Sequence, residues 1–467
     1  MNSKLKTNES LVDGPIFYKM ILFAVPIMLT GILQLAYNMA DNIVVGRFSS
    51  DTGALAAVGS VGTLYNLTMN FLLGLAAGVG VVIAQFFGAR DARKVSRTLH
   101  TSVVASLVSG IIFAAIAFAL SRPVLTLMGT KPEILDKAVL YFRIICIGIP
   151  ASALYNCGAA VMRAVGDSRS PLIILASTGI VNVALNLVFV IIFHMSVVGV
   201  AIATITSQYL SAIVVMMLLM KKKGESYCFS LSSLCFDGGL ILRVLRIGLP
   251  AAIQSAMFSV SNMLMASAVN TFPTTTVSAN TIASNIDGIA YTTMNSFSQT
   301  ALTFAGQNWG AAKPKRIRKI YLYGVLLVTG VGIAIGQIVL LFVEPLASLY
   351  INPADENYAL IIATVKEIAA LLLSTYFICG IMDTLSGFMR GLGYSLSPMI
   401  ISITSVCVLR VLWIYLVFPI EAMNNIVGLY ISYPVSWSAA LVCFGVLSVF
   451  AFKKIRSLEC SLATKGE

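Results

Sequence analysis

The sequence predicts an all-α integral membrane protein: twelve transmembrane helices forming two six-helix lobes, related by a pseudo-two-fold axis along the membrane normal. Three observations predict it. First, 58% of the 467 residues are hydrophobic and 11% are charged. Soluble domains carry about 25% charged residues, so most of this surface must be solvated by lipid. Second, the apolar residues fall into runs of about 20 residues or more, enough to cross a bilayer. They lack the alternation of a membrane β-barrel strand, which leaves helices as the spanning element. Third, the chain repeats itself. Met162-Arg163-Ala164-Val165-Gly166 returns as Met389-Arg390-Gly391-Leu392-Gly393. Gln85, Gly88 and Ala89 return as Gln307, Gly310 and Ala311. Pro26 and Tyr37-Asn38-Met39 return as Pro250 and Ser261-Asn262-Met263. The order is preserved, at offsets of 222 to 227 residues.

The spans fall near 16–46, 54–87, 95–120, 134–162, 170–194 and 197–220, and again near 238–270, 275–306, 317–343, 357–389, 394–419 and 425–452. This divides the chain into a tail (1–14), an N-lobe (15–220), a linker (221–237), a C-lobe (238–452) and a second tail (453–467). Lys and Arg gather at one set of span ends, including Arg90, Arg93, Lys94 and Arg97, Lys221 to Lys223, Lys313 to Lys319, and Lys453, Lys454 and Arg456. By the positive-inside rule, that side and both termini are cytoplasmic. Six spans per half give the halves one shared orientation, hence an axis along the membrane normal. The net charge of +12 belongs to these loops, and no nucleic-acid partner is expected.

The repeated motifs read as punctuation. Gly88 and Gly310 are expected to take a left-handed C-cap after the second and eighth spans. In the Arg-x-x-Gly turns, Gly166 and Gly393 stop one helix, and Pro171 and Pro398 open the next. Pro26 and Pro250 each remove a backbone donor and can bend the first helix of their half.

An ionisable residue at bilayer depth costs about 2.5–3.5 kcal/mol on insertion scales, so the few present are candidates for function. Asp41 lies on the first span, about 9 Å inward from Arg47. Gln34, Tyr37, Asn38 and Asp41 recur at i, i+3, i+4 and i+7 and make one helical face polar. Two readings of Asp41 stand: an exchangeable acid facing a cavity, or an ion pair with Arg47. Asn182 and Asn186 on the fifth span, Thr204 on the sixth, and Asn66 and Asn70 on the second complete an N-lobe set, which could equally be interhelical polar glue. The C-lobe carries Asp287 on the eighth span and Asp383 on the tenth, the latter aligned with Asn156. Arg410 on the eleventh is available to pair with Asp383. Met257 and Met294 are candidate cleft walls, since methionine re-packs around varied apolar shapes. The eight cysteines show no metal spacing. No P-loop, nucleophile elbow or zinc motif is present. Neither an enzyme nor a bound cofactor is expected, and any uphill transport must draw on an ion gradient.

These residues resemble the multidrug and toxic compound extrusion (MATE) family, in its bacterial type with an N-lobe aspartate. The resemblance covers residues 15 to 452. It rests on the duplication, Leu35-Ala36-Tyr37-Asn38-Met39-Ala40-Asp41, the Gln85 and Gln307 motifs, and both Met-Arg-x-x-Gly turns. It implies V-arranged lobes around a central cleft opening alternately to each side, and export of amphipathic, often cationic drugs in exchange for H⁺ or Na⁺. Asp41, Asn182 and Thr204 match the family's N-lobe ion site. Asn186 stands where the family often has Asp, which leaves Asp41 as the sole acid of that cluster. Asp287 resembles the family's acidic position on helix eight, while Asp383 lies in a different register from acids on helix ten. A coupling Na⁺ would fall in the Asp41 or Asp287 region. The expected cleft set is Gln34, Tyr37, Asn38, Asn66, Asn70, Asn156, Met257, Asp287, Met294 and Asp383, in a functional monomer of the bacterial cytoplasmic membrane. The alternatives are a flippase of lipid-linked saccharides and a non-transporting scaffold or receptor.

Overall fold

The computed structural model describes residues 11–48, 54–351 and 356–463, and among them every regular element is helical. The first half comprises α1 (Ile16–Phe48), α2 (Ala54–Gly88), α3 (Ala92–Leu127), α4 (Pro132–Val165), α5 (Arg169–Leu187) and α6 (Ser196–Lys221). The second comprises α7 (Gly238–Val269), α8 (Thr274–Gly310), α9 (Pro314–Leu341), the short α10 (Val343–Ser348) and α11 (Tyr358–Gly391). It ends with α12 (Leu396–Ser402), α13 (Leu409–Leu412), α14 (Ile426–Tyr430) and α15 (Ser432–Ala463). Among the described residues, 11 helical stretches are long and apolar enough to cross a membrane. The twelfth expected span, α8, is 37 residues long but too polar to qualify by composition. Its hydroxyls fold back on their own helix: Thr281 donates to Val277 O, Thr293 to Ile289 O and Thr300 to Ser296 O. Internally satisfied hydroxyls remove much of the cost of placing such a helix among apolar neighbours. On α3, Ile111, Ile112 and Ile116 are exposed, as a lipid-facing side requires.

The turns are partly as expected. Gly166 (φ 107°) and Gly393 (φ 93°) are left-handed, and each closes a Schellman motif. Asp167 N donates to Met162 O at 2.9 Å and Tyr394 N to Met389 O at 3.0 Å. Gly88 and Gly310 are instead the last residues of their helices. The left-handed positions come two residues later, at Arg90 (φ 58°) and Ala312 (φ 51°). The register is set by the bonds Asp91 N to Phe86 O and Lys313 N to Asn308 O. These place C′ beyond the glycine and put a non-glycine residue in a conformation that costs it about 1–2 kcal/mol.

By packing, the chain divides into two compact units: residues 29–256, and residues 11–28 together with 257 onward. The sequence division at 221–237 and the packing division therefore differ in α1 and α7. The cause lies at the helix starts. In the first unit, α2 is bare where α7 arrives. A Cβ at Gly78 would lie 2.6 Å from Gly248 N, and one at Gly74 would lie 2.3 Å from the Ala252 Cα. In the second, Met20 and Phe23 are buried, and Phe23 meets Phe304 edge-on at 5.7 Å. The repeated glutamines hold both junctions. Gln85 accepts from Arg243 Nη2 at 2.8 Å, and Gln307 accepts from Leu11 N at 3.1 Å. The motif read as punctuation thus also ties down the start of the other half's first helix. The linker is packed as well. His100 Nε2 accepts from Ser230 N at 3.0 Å and its ring stacks on Phe229.

Candidate functional site

Two polar clusters stand out, one in each unit. In the first, Tyr37 and Asp41 on α1 face α5. Tyr37 Oη donates to Ala176 O at 3.1 Å, and a Cβ on Gly179 would fall 1.9 Å from Tyr37 Cζ. Only glycine lets the ring lie this close. Asn186 Nδ2 donates to Asp41 Oδ1 and reaches Asn182 Oδ1 at 3.3 Å. Asn186 Oδ1 is sealed without a partner. Directly after these amides, α5 widens into a π-helical turn, Val188–Ile192, a feature frequent at functional sites. Tyr65 on α2 and Tyr141 on α4 lie close enough to feel the Asp41 charge, and Gln208 on α6 donates to Tyr65 Oη at 2.8 Å. No basic side chain pairs with Asp41 among the described residues. The Arg47 side chain, the alternative partner, lies outside them.

Of the expected ion-site residues, Asp41, Asn182 and Asn186 come together. The Thr204 hydroxyl donates to Val200 O of its own helix at 2.9 Å. Gln34, Asn38 and Asn66 are exposed, while Asn70 and Asn156 are half-buried. Tyr65 and Tyr141 were missed because a tyrosine in an apolar run reads as ordinary filling, and Gln208 because an isolated amide on the sixth span was given no partner. The one available signal was Tyr65 adjoining Asn66.

The second cluster lines a cavity of about 310 Å³ within the C-terminal unit. Asp287 and Tyr291 enter from α8, and Tyr376, Cys379 and Asp383 from α11. Arg410, Tyr430, Tyr433 and Trp437 complete the wall. Tyr376 Oη donates to Asp287 Oδ2 at 2.9 Å, and Asp287 Oδ1 is sealed without a partner. Tyr430 donates to Asn280. The expected Arg410–Asp383 pair does not form. Arg410 Nε donates to Ser436 Oγ at 3.1 Å, and its Cζ lies 3.8 Å from the Tyr433 ring centroid. Asp383 is electrostatically coupled to Arg390, one helical stretch along α11. π-helical turns at Ile403–Val408 and Trp413–Val417 flank α13, which carries Arg410. Met294 is fully buried against Gly332 and Gly380, in the core rather than on the cavity wall. Met257 is half-buried, and its carbonyl accepts from Cys407 Sγ. Among the described residues no three His, Cys, Asp or Glu side chains group as metal ligands, and none of the eight cysteines is in a disulfide.

A duplicated bundle of apolar helices with acids at depth defines a multi-pass membrane transporter. The MatE family model matches residues 26–188 and 250–416, and the chain belongs to that family. It is 25% identical over 445 residues to the probable multidrug resistance protein YoeA of Bacillus subtilis (strain 168), covering 94% of this chain and 95% of that one. It is 24% identical to a probable multidrug resistance protein NorM of Thermotoga maritima, covering 84% and 83%. Its fold matches a solved MOP superfamily transporter from Pyrococcus furiosus Vc1 with a TM-score of 0.89 at 21% identity, over 98% of this chain and 100% of that one.

Proposed function

We propose that this protein is a multidrug exporter of the bacterial cytoplasmic membrane, working as a monomer with both termini in the cytoplasm, that exchanges H⁺ or Na⁺ inward for amphipathic, often cationic compounds outward. The observation that carries this is the setting of Asp41. Its carboxylate is met by the Asn186 amide, and by no fixed cation among the described residues. Such an acid can hold a proton, a Na⁺ or an organic cation in turn. Ionised Asp41 favours the cationic drug. Protonation, or occupation by Na⁺, removes the charge that held it, and the drug leaves on the side where the coupling ion is abundant. Asn182 and Asn186 position the carboxylate and supply oxygen acceptors; the unpartnered Asn186 Oδ1 suits a small cation. A potential of 100 mV is worth about 2.3 kcal/mol per charge and one pH unit about 1.4 kcal/mol. Together they support export at least roughly a hundredfold uphill. The relatives named as multidrug resistance proteins support the substrate class. A flippase of lipid-linked saccharides would need several cations for its pyrophosphate, whereas the C-terminal cavity offers one arginine beside two acids. The test is dye movement in everted vesicles under an imposed pH or Na⁺ gradient. Gradient-driven transport that Asp41→Asn abolishes supports the proposal, and undiminished transport by that variant overturns it.

A further inference from the structure

We propose that the C-terminal cavity binds the anionic group of zwitterionic amphipaths on the Arg410 guanidinium, and that Arg410 sets this preference. The proposal deepens the exporter reading by naming a substrate class for one of its cavities.

Four observations carry it. Arg410 is 4% exposed, and among the described residues it forms no ion pair. Its Nε is committed to Ser436 Oγ, while its two Nη nitrogens have no hydrogen-bond partner among the described residues and belong to a side chain lining the cavity. Its nearest counter-charge is Asp287 across the same cavity, which interacts with it without forming an ion pair, and a buried charge short of hydrogen bonds is disfavoured. A guanidinium held by one edge presents the fork that matches a carboxylate or phosphate. Second, the side chain is fixed in place. Tyr433 supports its plane at 3.8 Å and Trp437 flanks it at 5.9 Å. That aromatic face is therefore already taken by the protein's own cation and is not a free cage for an organic one. Third, π-helical turns lie on both sides of α13, the short helix that carries Arg410, a feature frequent at functional sites. Fourth, Asp287 and Asp383 line the same cavity. A bare anion would meet these carboxylates. A ligand with a cationic end as well answers both signs at once, and a cavity of about 310 Å³ falls in the usual range for small molecules.

The test uses two dyes that differ only at the anionic group. Rhodamine 110 carries a free carboxylate beside its cationic chromophore; rhodamine 123 is its methyl ester. Fluorescence polarisation with the full-length protein in lipid nanodiscs gives both affinities. Wild type is expected to bind rhodamine 110 at least tenfold tighter than rhodamine 123. Arg410→Gln should bring that ratio close to one, and Arg410→Lys should retain part of it, because an ammonium keeps the charge without the fork. Gradient-driven export of rhodamine 123 by wild type is measured separately in everted vesicles, so failure of the coupling scheme and failure of this assignment are distinguishable. Equal or tighter binding of the ester by wild type overturns the proposal, as does a ratio that survives Arg410→Gln. If Arg410→Gln does not fold, the wild-type ratio and its reduction in Arg410→Lys decide.

Discussion

The two polar clusters grow from one duplicated plan and end with different electrostatics. The N-terminal cluster has one carboxylate, two amides and tyrosines. The C-terminal cavity has two carboxylates, an arginine and a wall of aromatic rings. An acid with only neutral partners is free to change its charge state. Acids that share a cavity with a fixed guanidinium are better suited to holding a ligand in one orientation. Duplication supplied two polar clusters, and in the proposed scheme the N-terminal one serves exchange while Arg410 equips the C-terminal cavity for recognition.

The sharpest way to break this comparison is to neutralise each lobe in turn. Asp41→Asn is expected to collapse the uphill dye ratio from roughly a hundredfold to near unity, read as gradient-driven accumulation in everted vesicles. Asp287→Asn should retain gradient coupling and change which dyes are carried. Equal loss from both variants would erase the proposed division of labour.

Next in size are the close approaches that hold each lobe together. A Cβ at Gly387 would lie 2.3 Å from Ser298 O, so Gly387→Val should destabilise the α8–α11 seam by about 1–3 kcal/mol or more and lower the thermal midpoint in detergent. Gly78→Val should do the same to the start of α7. The glutamine ties come third. Gln307→Ala leaves the Leu11 N–H buried and is expected to cost about 1–3 kcal/mol, seen as faster proteolysis ahead of α1. Gln85→Ala should cost less, because exposed Arg243 can turn to water. The smallest effect is at the start of α3. The backbone N–H of Lys94, followed by the Lys94 side chain, holds the Asp91 carboxyl below its ordinary value. Its contribution is present above the unfolded carboxylate range near pH 4 and is lost as pH falls through the lower folded value. Asp91→Ala should therefore cost about 1 kcal/mol at neutral pH and less in strong acid, where only the neutral cap remains.

Much of this was legible in the sequence because it is local or periodic. Apolar runs mark helices, and the Met-Arg-x-x-Gly turns mark two left-handed glycines. The i, i+4 amides Asn182 and Asn186 share a helix face and meet Asp41 across helices. What was not legible depends on register over distance. The π-helical turns beside α13 have no simple sequence signature, and of the two readings of Arg410 the pairing with Asp383 is the one that does not form: the guanidinium meets Ser436 and Tyr433. The roles of Gln85 and Gln307 depend on which unit the first turns of α1 and α7 join, and hydropathy is silent on that. Tyr65 and Tyr141 are apolar by composition, and hydropathy does not show that Tyr65 takes a hydrogen bond from Gln208 beside that cluster.

The most direct measurement is the pH and Na⁺ dependence of cationic-dye binding to the purified protein, compared for wild type, Asp41→Asn and Asp287→Asn. Wild type and Asp287→Asn should release the dye on acidification or on addition of Na⁺, whereas Asp41→Asn should bind weakly and without response. A wild-type response that persists in Asp41→Asn and vanishes in Asp287→Asn would contradict an N-lobe exchange site and place it in the other lobe.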